Sequence, residues 1–210
     1  MTRVQTLEGS KAPLMARLIA RYSRRKLGRD VDIIGVYAHT PGLLVGYGAY
    51  ERAAAAQHTV PERLKMLAVL KAAALVGCEF CADIGSTEAR EAGVTEEQLL
   101  ALPHYRDSDA FDELERLVID YAVAMTRTPP EVDERLFGAL REHFDERQLV
   151  ELTNMVALEN LRSRFNSALD MTPAGFSEGM VCIVPERAGA DAVPDHPART
   201  GTAAGSLAGA

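Results

Sequence analysis

The chain has 210 residues, 47% of them hydrophobic, with 30 acidic against 23 basic side chains and a formal net charge of −7. That length and apolar content suit one sizeable core and exclude wholesale disorder. The acidic balance speaks against a general nucleic-acid binder, which carries a basic face.

Leu14, Leu18 and Ile19 share one face of a first helix, which fades at the basic run Arg24, Arg25 and Lys26 before Gly28. Val31 to Val36 is a short β-like run. Thr40 to Gln57 predicts a helix entered through Pro41, with Gly42-x-x-x-Gly46 and Ala53 to Ala56 offering small surfaces for close helix contact. Pro61 opens the next helix, which carries Leu64, Leu67, Ala68, Lys71 and Leu75 and runs to Gly77. Another starts at Cys78 and ends near Ala92, with Gly93 as its stop. Thr95-Glu96-Glu97-Gln98 has the form of a capping box ahead of Leu99, Leu100 and Leu102. Ser108 and Asp109 are expected to open a helix bearing Leu114, Leu117, Val118, Tyr121 and Met125, ended by Thr128-Pro129-Pro130. Val132 to Phe144 is a further helix. Asp145-x-x-Gln148 caps a long one with Leu149, Leu152, Val156, Leu161 and Phe165. Met180 to Val184 is a second β-like run.

The expected fold is all-α, a compact domain of seven or eight helices over 1–185. A disordered tail, rich in Ala, Gly, Pro, Asp and Thr, is expected over 186–210. The longest charge-free stretch, Ile33 to Tyr50, is interrupted by Pro41 and Gly42, so no membrane span or membrane partner is expected. The opening MTRVQTLEGSK lacks the apolar run of a secretory leader, and the cytoplasm is the expected compartment.

Three cysteines, Cys78, Cys81 and Cys182, are too few for a disulfide-stapled secreted fold. Cys78 and Cys81 form C-x-x-C, and residues at i and i+3 lie on one helix face, so their sulfurs can meet. The first turn of a helix stabilises a thiolate, and a neighbouring thiol resolves a sulfenic acid or mixed disulfide. Redox chemistry is the favoured reading. A zinc half-site would need two more ligands, for instance Cys182 with His39 or His104, and no second paired motif exists. Inert core cysteines are the other reading. No metal, cofactor or nucleic-acid partner is expected.

Glu79 and Asp83 lie off the ideal faces relative to Cys81 and are expected to be solvated carboxylates. His39 either approaches the site or caps and packs the helix that follows it. Glu159, Asn160, Arg162 and Arg164 form a polar cluster in an otherwise apolar helix, suited to a pocket or, more commonly, to an ion-pair network. Cys182 is expected to be a packed, unreactive thiol rather than a third redox partner. His58, His104 and His143 are expected at the surface.

The stretch from Arg63 to Leu102 resembles the carboxymuconolactone decarboxylase and alkylhydroperoxidase-D-like family, most strongly over 60–102. The residues carrying the resemblance are Leu75-Val76-Gly77-Cys78-Glu79-Phe80-Cys81, then Ala89-Arg90-Glu91-Ala92-Gly93-Val94-Thr95-Glu96-Glu97-Gln98-Leu99, and the closing Leu-x-Ala-Leu at Leu99 to Leu102. Tyr37 to Leu44 and Glu151 to Asn166 resemble flanking parts of the same proteins. The resemblance implies a homo-oligomer, trimer or hexamer, acting on a peroxide or disulfide substrate with an external thiol reductant. It also implies Cys81 as peroxidatic nucleophile and Cys78 as resolving thiol. Two positions depart from the peroxidase branch. Its Glu twelve residues before the first cysteine is Met66 here, and its His four residues after the second is Gly85. The expected function is therefore a thiol-dependent oxidoreductase whose proton handling lies elsewhere. The alternatives are a cofactor-free carboxymuconolactone-type decarboxylase, with Arg162 and Arg164 holding carboxylates, or a non-catalytic helical oligomer.

Overall fold

Residues 62–76 are apolar or small around most of a helical circumference, and a helix of that kind belongs inside a protein. In the structure, a computed structural model describing residues 2–186, this helix is the central rod. In chain order the elements are α1 (Leu14–Leu27), α2 (Asp32–Tyr37), α3 (Pro41–Ala55), α4 (Glu62–Val76), α5 (Glu79–Glu91), α6 (Glu96–Ala101), α7 (Glu113–Thr126), α8 (Glu134–His143) and α9 (Glu146–Ala168). Two short 3-10 turns complete them, and the described residues contain no strand. None of these helices is long and apolar enough to cross a membrane.

Helix α4 packs against α5, α7 and α9. One side, with Leu67 and Leu70, joins Ala82 and Ala89 of α5, Leu99 of α6 and Leu158 of α9. The other, with Leu64, Ala68 and Ala72, meets Val118 and Ala122 of α7, Leu140 of α8 and Leu152 of α9. Leucines buried this completely each contribute roughly 1.5–3 kcal/mol. Two lysines share the rod and are matched inside it. Lys65 Nζ meets Glu62 at 2.8 Å, Glu151 at 2.9 Å and the Gln57 carbonyl at 2.8 Å. Lys71 Nζ meets Glu186 at 2.5 Å and the Leu102 carbonyl at 3.3 Å.

Helix α6 starts with the expected capping box, Thr95 with Gln98. The α7 start differs from expectation. Asp112, not Ser108 or Asp109, is the cap: its carboxylate accepts the Glu115 N–H at 2.7 Å, and Glu115 accepts the Asp112 N–H at 3.1 Å. Ser108 instead makes a local turn, its hydroxyl accepting the Ala110 N–H at 3.2 Å. The two boxes are stitched together, since Gln98 Nε2 also donates to Glu115 at 3.1 Å.

Neither β-like run is a strand. Val31 to Val36 falls mostly in α2, which accounts for the one helix beyond the upper expectation. Its Val36 packs with the cysteines and its Tyr37 with α1 and α3, so tertiary contacts override a weak local preference. Met180 to Val184 belongs to an unpaired strap, residues 170–186, laid along α5 and α4. Glu186, placed by sequence at the head of the tail, is held in this strap. Its N–H donates to the Ala74 carbonyl at 2.8 Å and its carboxylate meets Lys71. The rest of the expected tail lies outside the described residues. The Gly42-x-x-x-Gly46 surface has no close helix contact among the described residues, since a Cβ at either glycine would meet nothing within 4 Å.

Candidate active site

Helix α4 stops because Gly77 takes a left-handed conformation, φ +80°, which L side chains rarely adopt. The N–H groups of Gly77 and Cys78 close on the Ala73 carbonyl at 3.0 and 3.1 Å. The chain re-enters a helix at once, with Cys78 as N-cap and its sulfur accepting the Cys81 N–H at 3.1 Å. Cys78 and Cys81 thus share one turn, with Cα atoms 5.3 Å apart, and they are joined by a disulfide. Both are buried, 2% and 6% exposed, among Val36, Phe80 and Met171, with Phe165 and Ile84 packed alongside.

Among the described residues, Asn166 of α9 brings a polar side chain to these sulfurs. Its Nδ2 lies 3.3 Å from Cys81 Sγ and 3.9 Å from Cys78 Sγ. Disulfide sulfurs carry no hydrogen, so the NH2 side of the amide faces them. The amide's other polar atom, Oδ1, is buried without a hydrogen-bond partner among the described residues. Asn166 closes the stretch that flanks the resemblance, and its residue type alone does not single it out as a site residue. The available signal was its spacing with Glu159 and Ser163, at i, i+4 and i+7 on one buried helix face.

The two departures from the peroxidase branch are filled with hydrocarbon. Met66 is buried in the core cluster with Leu70. A Cβ at Gly85 would stand 3.0 Å from Leu70 Cδ2, and Leu70 is fully buried. Glu79 is exposed in the first turn of α5, as expected. Asp83 is not the solvated carboxylate expected. It is 3% exposed and accepts the Ser177 N–H and hydroxyl, each at 2.7 Å, and the Phe176 N–H at 3.0 Å. Burial alone would raise its pKa, but these donors hold it below the usual carboxylate range. Asp83 therefore clips the strap to α5. Ser86 does the same three residues on, accepting the Ile183 N–H at 3.1 Å and donating to Cys182 Sγ at 3.5 Å. Cys182 is a half-buried free thiol at that second clip. His39 is exposed and bonds the Gln5 carbonyl at 2.8 Å. His58, His104 and His143 are exposed too.

The polar residues of α9 form an interhelical network. Arg162 holds Glu51 of α3 through two hydrogen bonds, one of them 2.8 Å, and reaches Glu159 at 3.3 Å. Asn160 donates to Thr126 Oγ1 at 2.9 Å, and Arg164 to the Thr126 carbonyl at 3.0 Å. Glu159 is 2% exposed, and burial pushes its carboxyl up to about 7 against the pull of Arg162 and Ser163. Glu51 adds to the rise. A folded-state pKa above the unfolded value means the native state holds this proton more tightly. Stability supplied by the protonated form is then complete below about pH 4.5 and is lost as pH rises toward 7. Urea unfolding of the wild type should weaken across that window by on the order of 3 kcal/mol from this group. Glu159→Gln should remove that slope, and an unchanged pH profile in the variant would contradict the assignment.

Two surface clefts of about 310 and 230 Å³, one beside Lys71 and Tyr105 and the other beside Asp120 and Arg135, include neither cysteine nor Asn166.

Fold and site together define an all-helical protein built around a dithiol–disulfide pair at a helix start. The family model of the carboxymuconolactone decarboxylase family matches residues 41–124, a span that holds both cysteines of the pair. Protein YnjA of Escherichia coli (strain K12) is 35% identical over 184 residues, covering 85% of this chain and 96% of its own. The chain belongs to the carboxymuconolactone decarboxylase family. A peroxidase-related protein from Silicibacter sp. TM1040 has the same fold, with a TM-score of 0.75 at 20% identity over 86% of this chain and 95% of that one. So does an alkylhydroperoxidase AhpD core protein from Ralstonia eutropha JMP134, with a TM-score of 0.73 at 22% identity over 88% and 98%. The family points to an enzyme.

Proposed function

We propose that the protein is a thiol-dependent oxidoreductase that reduces peroxides, or exchanges disulfides, through Cys78 and Cys81. The observation that carries this reading is the placement of two cysteines in one turn at the start of α5, already bonded to each other. Cys81 is the attacking thiolate and the more exposed of the two, and Cys78 resolves it. The thiolate attacks the terminal oxygen of a hydroperoxide, the O–O bond breaks, and the alkoxide leaves and takes a proton to become an alcohol. The sulfur, oxidised by two electrons, is now a sulfenic acid. The Cys78 thiolate attacks it, the S–S bond forms, and water departs. An external dithiol returns two electrons and two protons by thiol–disulfide exchange.

The test is to reduce the protein, remove the reductant and add hydrogen peroxide or an organic hydroperoxide. The expected result is loss of both thiols to one intramolecular disulfide per peroxide consumed. Thiols that stay reduced in folded protein, with peroxide and with a small-molecule disulfide alike, would sink the reading. Decarboxylation is disfavoured because Arg162 and Arg164, the cations it would need, are engaged within the chain.

The cytoplasm, a reducing compartment, suits this cycle. A homo-oligomer, trimer or hexamer, also belongs to the reading. It is supported by apolar side chains left outward on α1 (Leu14, Leu18, Tyr22) and α3 (Leu43, Val45, Tyr50). Sedimentation velocity should find no monomer at micromolar concentration, and a monomeric species would contradict it.

A further inference from the structure

The start of α5 serves its two sulfurs unequally. The N–H that a helix start offers to a cap goes from Cys81 to the sulfur of Cys78. Cys81 Sγ, the attacking atom in the reading above, has hydrocarbon around it from Val36, Phe80 and Met171. Such surroundings disfavour a thiolate unless a donor compensates. The donor within reach is Asn166 Nδ2, at 3.3 Å.

The other half of that amide is unpaired. Asn166 is 4% exposed and its Oδ1 has no hydrogen-bond partner among the described residues, so a buried acceptor is left unsatisfied. Oδ1 and Nδ2 share one carbon, so a donor bound to Oδ1 on its Nδ2 side would lie beside the sulfur that Nδ2 touches. A hydroperoxide carries its hydrogen on the terminal oxygen, and that is the oxygen which the sulfur attacks.

We propose that Asn166 is a catalytic residue of this site, donating from Nδ2 to the Cys81 thiolate and accepting at Oδ1 the O–H of the incoming hydroperoxide. This rests on the redox reading and deepens it. One side chain both stabilises the nucleophile and aims the electrophilic oxygen at it. As the S–O bond forms and the O–O bond breaks, the hydrogen held at Oδ1 stays on the transferred oxygen and becomes the sulfenic acid hydrogen. The departing alkoxide takes its proton from water. Substrates without that hydrogen gain nothing from the acceptor half.

The experiment compares reduced wild type with Asn166→Ala and Asn166→Asp across about pH 5 to 9, spanning the ordinary thiol range. Modification of Cys81 is read by peptide mass with two probes. Methyl methanethiosulfonate reports the thiolate and offers no hydrogen-bond donor, whereas tert-butyl hydroperoxide offers one. In Asn166→Ala the midpoint of the methanethiosulfonate reaction should rise by about one pH unit. Near the top of the range, where the thiolate is formed in both proteins, the hydroperoxide reaction should be slower by about tenfold or more. The methanethiosulfonate rate there should stay within about twofold. Asn166→Asp keeps the side-chain shape if the alanine variant fails to fold. It brings a negative charge in place of a donor but keeps an acceptor oxygen, so its midpoint should rise further while its hydroperoxide rate near the top of the range falls less than that of Asn166→Ala. If both variants match the wild type with both probes, the assignment of Asn166 is overturned while the redox reading stands. In Asn166→Ala, a midpoint that moves with no loss of hydroperoxide rate near pH 9 overturns the acceptor half. Wild-type Cys81 that ignores hydroperoxide overturns the peroxidase half of the redox reading and this assignment together.

Discussion

Cys81→Ser should abolish peroxide or disulfide reduction, a loss of about a thousandfold or more, because a neutral hydroxyl in that place is a far weaker nucleophile than a thiolate. The variant should remain folded, since Cys81 sits in a small apolar cluster and serine differs by one atom. Cys78→Ser should behave differently. Cys81 still attacks, but no resolving thiol is left, so one oxidising equivalent is consumed per chain and the sulfur stops as sulfenic acid. Trapping of that species by dimedone, seen in Cys78→Ser and absent from Cys81→Ser, checks the order of the two cysteines. The reverse pattern would exchange the roles and fits one feature of the geometry, since the helix-cap N–H points to Cys78.

Lys65→Ala should be the most destabilising single change in the central rod. Lys65 and Glu151 have 2% and 4% of their side chains exposed and lie 2.9 Å apart. Burial alone would raise the Glu151 pKa, yet Thr59 and Lys65 hold it down to about 2. Removing the lysine leaves a buried carboxylate with only its bonds to Thr59 and a cavity beside it. Breaking a buried pair from one side costs about 3–5 kcal/mol. For a chain of this size that corresponds to roughly 6–20 °C in Tm. Calorimetry at neutral pH tests the cost, and a shift under about 2 °C would refute it. Replacing both partners, Lys65→Met with Glu151→Leu, should restore much of the loss, because no unpaired charge then remains. The depressed Glu151 pKa also sets a sign with pH. Its stabilisation is present above about pH 4.5 and is lost as the pH falls toward 2.

Much of this architecture was legible because the local signals agreed. Pro41 and Pro61 mark helix starts, Gly77 marks a stop, and Thr95 and Asp145 head capping boxes where expected. The cysteine pair was legible for the same reason, a glycine stop followed at once by C-x-x-C. What escaped depends on contacts distant in sequence. A run of β-branched residues at 31–36 reads equally well as strand or helix until Val36 and Tyr37 find their partners. Asp83 resembles any helix-surface acid until Phe176 and Ser177, more than ninety residues on, bring their N–H groups to it. Asn166 stands 85 residues from Cys81, and only the packing of α9 against α5 makes them neighbours.

The leucine that fills the space beside Gly85 has a consequence for how sequences of this family can diverge. A histidine introduced at 85 would press its Cβ to 3.0 Å from Leu70 and its ring further into a filled core. Leu70 reduced first, to alanine, would leave a void costing about 2–5 kcal/mol with nothing gained in exchange. A glutamate at 66 without its histidine would be a buried lone carboxylate. Each single step between this arrangement and the histidine–glutamate pattern thus costs stability by itself. Met66, Leu70 and Gly85 are therefore one coupled set, and the core of this chain is packed for the arrangement without the histidine and the glutamate.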